Sequence, residues 1–176
     1  RDGSLWVGTI NGLNRFDRQA ETFSHYPNEI DPLNPTYSTN YVTDLHVDAS
    51  GKLWLATLGG LLTFEPGKES FGLHPLIPVR PPVIPDGPGR LAIASIFESD
   101  SGQLWLGTHG QGLISYAPQT GRSTQYMNEE NNPRSLSHNT VHAIYQDRSG
   151  NIWAGTQFGL DMLSSETDSF VRHQHD

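Results

Sequence analysis

Four tryptophans, Trp6, Trp54, Trp105 and Trp153, follow one another at intervals of 48, 51 and 48 residues, and each stands in the same run of residues. The runs are Asp2-Gly-Ser-Leu-Trp-Val-Gly-Thr9, Gly51-Lys-Leu-Trp-Leu-Ala-Thr57, Gly102-Gln-Leu-Trp-Leu-Gly-Thr108 and Gly150-Asn-Ile-Trp-Ala-Gly-Thr156. Agreement at so many positions marks an internal repeat, which restricts the chain to folds made by stacking one unit.

Each unit reads as four short strands. Strand A is apolar and precedes the glycine: Val42–Val47, Ile93–Glu98 and Val141–Gln146. A tight polar turn follows, Asp48-Ala-Ser-Gly51, Ser99-Asp-Ser-Gly102 and Asp147-Arg-Ser-Gly150. In such a turn the side-chain oxygen accepts from backbone N–H groups and glycine takes positive φ. Strand B carries the tryptophan. Strand C opens at Gly12, Gly60, Gly112 and Gly159, and strand D is the weakest, at Thr22–Tyr26, Ser70–His74, Ser123–Tyr126 and Ser169–His173. Hydrophobicity falls from A to D, which predicts A at the centre and D at the rim.

Runs such as Leu5-Trp6-Val7 and Leu104-Trp105-Leu106 put apolar side chains on both faces of a strand, so both faces need cover. Radially stacked four-stranded sheets supply it, whereas a sandwich leaves one face wet, and leucine-rich or ankyrin-like units are only about 20–35 residues long. The expected fold is all-β, an incomplete β-propeller of about four blades, at residues 1–39 (strands B to D only), 40–90, 91–138 and 139–176. The 18 Gly and 12 Pro suit so many turns. Closed propellers have roughly four to eight blades. The phase of the chain therefore predicts a piece of a longer protein, completed by further blades of that protein or by another copy of the chain.

The segments Asn132-Pro-Arg-Ser-Leu-Ser-His-Asn-Thr-Val141 and Ile144-Tyr-Gln-Asp-Arg-Ser-Gly-Asn-Ile-Trp-Ala-Gly-Thr156 resemble the two-component regulator propeller repeats, and Asn34-Pro35 through Asn40-Tyr-Val42 is a shorter copy of the same lead-in. The resemblance implies the periplasmic input region of a membrane-anchored bacterial sensor, a histidine kinase, hybrid two-component system or diguanylate cyclase, with no catalysis in the segment itself. Two departures stand out. Ala56 replaces the glycine of strand B, and a proline-rich stretch, Pro75 to Gly89, replaces the third lead-in and reads as an extended loop.

Composition narrows the function further. A formal net charge of −8 with only 11 Lys and Arg argues against nucleic acid as a partner. The absence of cysteine removes disulfides and thiolate metal sites, and no window approaches the roughly 18 apolar residues of a membrane span, so no direct membrane contact is expected from this segment. No cofactor is expected. The tryptophans, mid-strand between aliphatics, read as core, and the Asp turns as structural, since they lack the ligand spacing of a calcium loop. His173 and His175 share one face of a strand but have no third metal ligand nearby. Glu129-Glu130 reads as a solvated pair.

Recognition is expected on the face shared by the B–C turns and the D–A loops, because these turns differ between repeats while their flanks do not. The candidates are Asn11, His109, Gln111, Gln157 and Phe158 in the turns, with Tyr37, Tyr41 and Arg80 in the long loops. Together they offer hydrogen bonds and one stacking surface to a small polar ligand such as a sugar; each also reads as an ordinary solvated turn residue. Two other classes stay open, a protein-interaction scaffold and a propeller enzyme such as a lyase, for which His109 is the one suitably placed base.

Overall fold

The computed structural model describes residues 3–28, 39–76 and 91–173, and every regular element within them is a strand. The first sheet holds β1 (Leu5–Thr9), β2 (Gly12–Asp17) and β3 (Thr22–Tyr26). The second holds β4 (Val42–Val47), β5 (Leu53–Thr57), β6 (Gly60–Glu65) and β7 (Ser70–His74). The third holds β8 (Ile93–Glu98), β9 (Leu104–Thr108), β10 (Leu113–Ala117) and β11 (Arg122–Tyr126). The fourth holds β12 (Val141–Gln146), β13 (Ile152–Thr156), β14 (Gly159–Leu163) and β15 (Phe170–His173). Each sheet is an antiparallel meander in chain order, and β4 packs beside β8 and β8 beside β12. First strands of successive blades thus gather at one axis, and the architecture is an incomplete β-propeller.

The repeated residues prove to be turn hardware. Asp48 Oδ1 accepts from the backbone N–H of Ser50 (2.9 Å) and Lys52 (3.0 Å), while Oδ2 accepts the indole N–H of Trp54 at 2.8 Å. Asp147 repeats this with Ser149, Asn151 and Trp153. Hydrogen bonding from these donors holds both carboxyls below the usual range despite the opposing effect of burial. At the other end of strand B, the hydroxyls of Thr9, Thr57, Thr108 and Thr156 donate to the carbonyls of Gly12, Gly60, Gly112 and Gly159 at 2.7–3.0 Å.

Three apolar cores fill the three joints between blades. Trp54 is 1% exposed and sits against Ile93, Leu106 and Tyr116 of the next blade. Each tryptophan also meets a ring of its own fourth strand: Tyr26 (5.6 Å), His74 (4.7 Å), Tyr126 (5.9 Å) and His173 (5.3 Å) for Trp6, Trp54, Trp105 and Trp153. β5 and β9 are wholly buried, whereas β4 and β8 are only partly so. Strand A does lie innermost, yet burial peaks in strand B, because B is covered by a blade on each side while A also borders the axis.

A Cβ on Gly107 would lie 2.7 Å from the Val141 carbonyl, and one on Gly8 would lie 2.5 Å from Val42 Cγ1. The glycine of strand B is therefore the seat on which the next blade's first strand begins. Ala56 shares its core with Ile93 of the next blade, so a methyl group is accommodated at that joint. On the fourth blade the seat is open among the described residues: a Cβ on Gly155 would have only its own Ala143 within 4 Å, and Tyr145, Leu160 and Val171 of that blade are 62%, 42% and 46% exposed.

Candidate functional site

The loop between the third and fourth blades is a built structure rather than a tether. Asn139 Oδ1 accepts from the Asn128 N–H (2.6 Å), Asn128 Nδ2 donates to the carbonyls of Leu136 and Ser137, and fully buried Leu136 joins the apolar core of that joint. Arg172 of β15 donates to the carbonyls of Asn132, Ser135 and Leu136 and to Ser135 Oγ, all at 2.8–2.9 Å. Ser137 N–H and Oγ donate to Oδ2 of Asp161, a carboxylate with no exposure, at 2.7 and 2.8 Å. Asn132, Ser135, Leu136, Ser137 and Asn139 of the lead-in thus act as an anchor. Asn28 N–H donates to Asn40 Oδ1 at 2.6 Å, the same bond in the earlier copy.

This anchor fixes what it carries at the surface. His109, in the turn after β9, donates its backbone N–H to Ala92 (2.9 Å) and forms an isolated bridge with Thr140. Its ring lies 6.1 Å from that of His142 on β12. Burial, and then the charge of His142, hold His109 below the ordinary histidine range, so at neutral pH its ring is uncharged and offers one donor and one acceptor. Phe158, 61% exposed, lies 4.4 Å from the ring of His138, whose Nδ1 accepts from Thr140 N–H at 3.0 Å. Gln157 is exposed beside Phe158 and bonds Thr140 O through its backbone (3.1 Å).

Of the sequence candidates, His109 and Gln157 therefore both meet the backbone of Thr140 at the joint between the third and fourth blades, with Phe158 next to Gln157. Gln111 belongs to the same turn but is buried, with its carbonyl accepting from Gln125 Nε2 at 3.0 Å. Asn11 is on the first blade, its N–H held by Thr9 Oγ1, and Tyr41, 40% exposed, precedes β4 on the second. Tyr37, Arg80 and His175 lie outside the described residues, as does most of the proline-rich stretch. Sequence reasoning missed His138 and His142. The available signal was register: His142 occupies the position held by Thr43 and Ala94 in the other blades. Among the described residues no three His, Cys, Asp or Glu side chains are placed to hold a metal.

Residues 36–59 and 135–158 match a family model described as two-component regulator propeller. Both matches begin in a lead-in and end in a B–C turn, one repeat phase found twice. Over 67 residues, 38% of the chain, the sequence is 36% identical to histidine kinase P4 of Formosa agariphila and spans 5% of that protein. The fold matches the extracellular domain of the hybrid two-component system BT4673 from B. thetaiotaomicron at a TM-score of 0.76 and 24% identity, covering 99% of the chain and 21% of that domain. It matches the BT3049 extracellular domain of the same organism at a TM-score of 0.70 and 25% identity, over 96% of the chain and 21% of that domain. The chain thus spans about a fifth of the extracellular domains whose fold it shares.

Proposed function

Because the chain carries two-component regulator propeller repeats at residues 36–59 and 135–158, we propose that it is an extracytoplasmic sensory input segment of a membrane-anchored bacterial signalling protein, non-catalytic in itself. The observation that carries this reading is the placement of His109, His138, His142 and Phe158 on one rigid loop frame astride a blade joint. His109 belongs to the third blade and the other three to the fourth. A small polar ligand held between them, with a sugar's hydroxyls on the imidazoles and its C–H face on Phe158, would favour one packing of the two blades over another. A ligand shifts a conformational equilibrium only through such unequal affinity. The likeness to extracellular domains and to a histidine kinase supports a periplasmic location in the longer protein.

Thermal unfolding in the presence of neutral mono- and disaccharides tests this, since a ligand of the native state must raise the midpoint. A rise that disappears in the His109→Ala, Phe158→Ala double variant is expected. A midpoint unmoved across the panel, or a rise that survives in the double variant, would overturn the site.

A further inference from the structure

The joint between the third and fourth blades departs from the repeat in two places at once. At the first joint Phe64 packs its ring 5.4 Å from Trp6, and at the second Tyr116 packs 6.0 Å from Trp54. At the third joint the same position of the incoming blade is Leu163, which has no ring to extend across the space beside Trp105. The second departure is in the turn: where Asp48 and Asp147 accept the indole N–H of their tryptophans, the third blade has Ser99, whose hydroxyl bonds Ser101 Oγ (2.9 Å) and the Gln103 carbonyl (3.1 Å). Trp105 thus has neither the carboxylate nor the facing ring that Trp54 has.

A cavity of about 320 Å³ occupies that place, on the face of the A–B and C–D turns and so opposite His109. Trp105, Tyr126, Ile152 and Leu163 form its apolar part; Ser101, Gln103, Gln146 and Ser165 give it neutral polar groups; and Asp168 is its one formal charge, no Lys or Arg being among the residues that line it. Tyr126 donates its hydroxyl to Asp168 Oδ1 (3.3 Å), and its ring stacks on Trp105 with 25° between planes. Burial first, and then the Asp168 charge, push the phenol up to about 12, so Tyr126 remains a neutral donor. The left-handed φ of 48° at Asp168 is shared by Glu21 (52°) and Glu69 (49°) in the C–D turns of the first and second blades. The turn therefore accounts for the backbone, while the short side chain beside a tyrosine is particular to this joint.

We propose that this cavity binds a small organic cation, an ammonium or guanidinium group on a short apolar stem. A carboxylate beside two aromatic rings attracts such a cation, by charge at Asp168 and by the ring quadrupoles of Tyr126 and Trp105. The same carboxylate, with no basic residue in the lining, repels anions. The stem fits the space that Leu163 leaves against Ile152.

The probe is n-butylammonium chloride, with 1-butanol as its neutral isostere, followed by the Trp105 indole N–H signal in NMR spectra of the chain, assigned through Trp105→Phe. Saturable shifts at Trp105 and the Ser165 amide are expected, with 1-butanol binding about tenfold more weakly or not at all. Asp168→Asn keeps a residue that tolerates left-handed φ, and it should weaken butylammonium about tenfold without affecting 1-butanol. Leu163→Phe installs the residue of the second blade and should abolish both, with the melting midpoint showing that the variant folds. Equal affinity for the two probes, binding that survives Leu163→Phe, or no shift at Trp105 would each overturn the proposal. The sugar test at His109 uses other residues and other ligands, so either result can fail without the other.

Discussion

His74 lies 4.7 Å from the ring of Trp54 and within hydrogen-bond distance of Thr63 Oγ1 (3.0 Å) and the Tyr116 hydroxyl (3.2 Å), at the joint between the second and third blades. Burial, and then the charge of Lys52, hold its pKa below the ordinary histidine value of about 6.5. A depressed histidine makes the native state bind fewer protons than the unfolded chain once the pH is below that ordinary value. Its contribution to stability is therefore complete above about pH 6.5 and is lost as the pH falls through it. His74→Phe keeps a ring against Trp54 and removes the titration. Urea unfolding at pH 7.5 should show it less stable than the parent by about 1–2 kcal/mol, for the lost hydrogen bonds. Between pH 7.5 and 5.5 the variant should lose less stability than the parent, and an equal loss would remove His74 as a cause.

Among the elements, the lead-in loop shows how an irregular segment gains the rigidity of a strand. Four charge-assisted bonds from Arg172 converge on carbonyls and a hydroxyl between Asn132 and Leu136, and Leu136 is buried in the core beneath. Arg172→Ala removes all four of these bonds, although the Leu136 carbonyl keeps Asn128 Nδ2 and the Asn132 carbonyl keeps Ser135 as donors. A loss of about 2–3 kcal/mol is expected, with faster amide exchange at residues 128–140 than at β9 and β13. Uniform loss of protection would show instead that the loop and its blade open as one unit. Much of this level was legible in the sequence. The period of about 50 residues and the glycine-marked turns placed every strand within a residue or so of where it lies, because a repeat must use one geometry each time. The site was less legible. His142 is brought to His109 by packing between blades, His138 is brought to Phe158 by the fold of the lead-in, and the cavity at Leu163 depends on Ser99, 64 residues earlier. Neither substitution is unusual alone; the pair has meaning only where one blade's turn meets the next blade's third strand.

For the molecule as a whole, stability should grow joint by joint, since each blade contacts only its neighbours. Two contacts recur at all three internal joints, a β-branched residue on the strand B glycine, or Ala56, of the preceding blade and an apolar side chain on its tryptophan; at the second and third joints the last strand A residue also reaches the A–B turn of the preceding blade. Glu98 Oε2 accepts from Ala49 N–H (3.2 Å) in this way, and Gln146 Oε1 from Asp100 N–H (2.9 Å). The fourth blade presents the same receiving surface at Gly155, Trp153 and the turn at Arg148, with Leu160 42% exposed beside it. A second copy of residues 127–173, fused after the first, should therefore dock there with its own equivalent of Val141 on Gly155. Burying Tyr145, Leu160 and Val171 should raise the thermal midpoint by about 5 °C or more. Gly155→Leu separates docking from mere chain extension. In the original chain a Cβ at Gly155 meets, among the described residues, only Ala143 at 3.5 Å or beyond, and the substitution should be nearly neutral. In the extended chain it would occupy the seat of the incoming strand and erase the gain. If the extended Gly155→Leu chain melted as high as the extended parent, the added blade would be held by something other than the joint repeated three times within this chain.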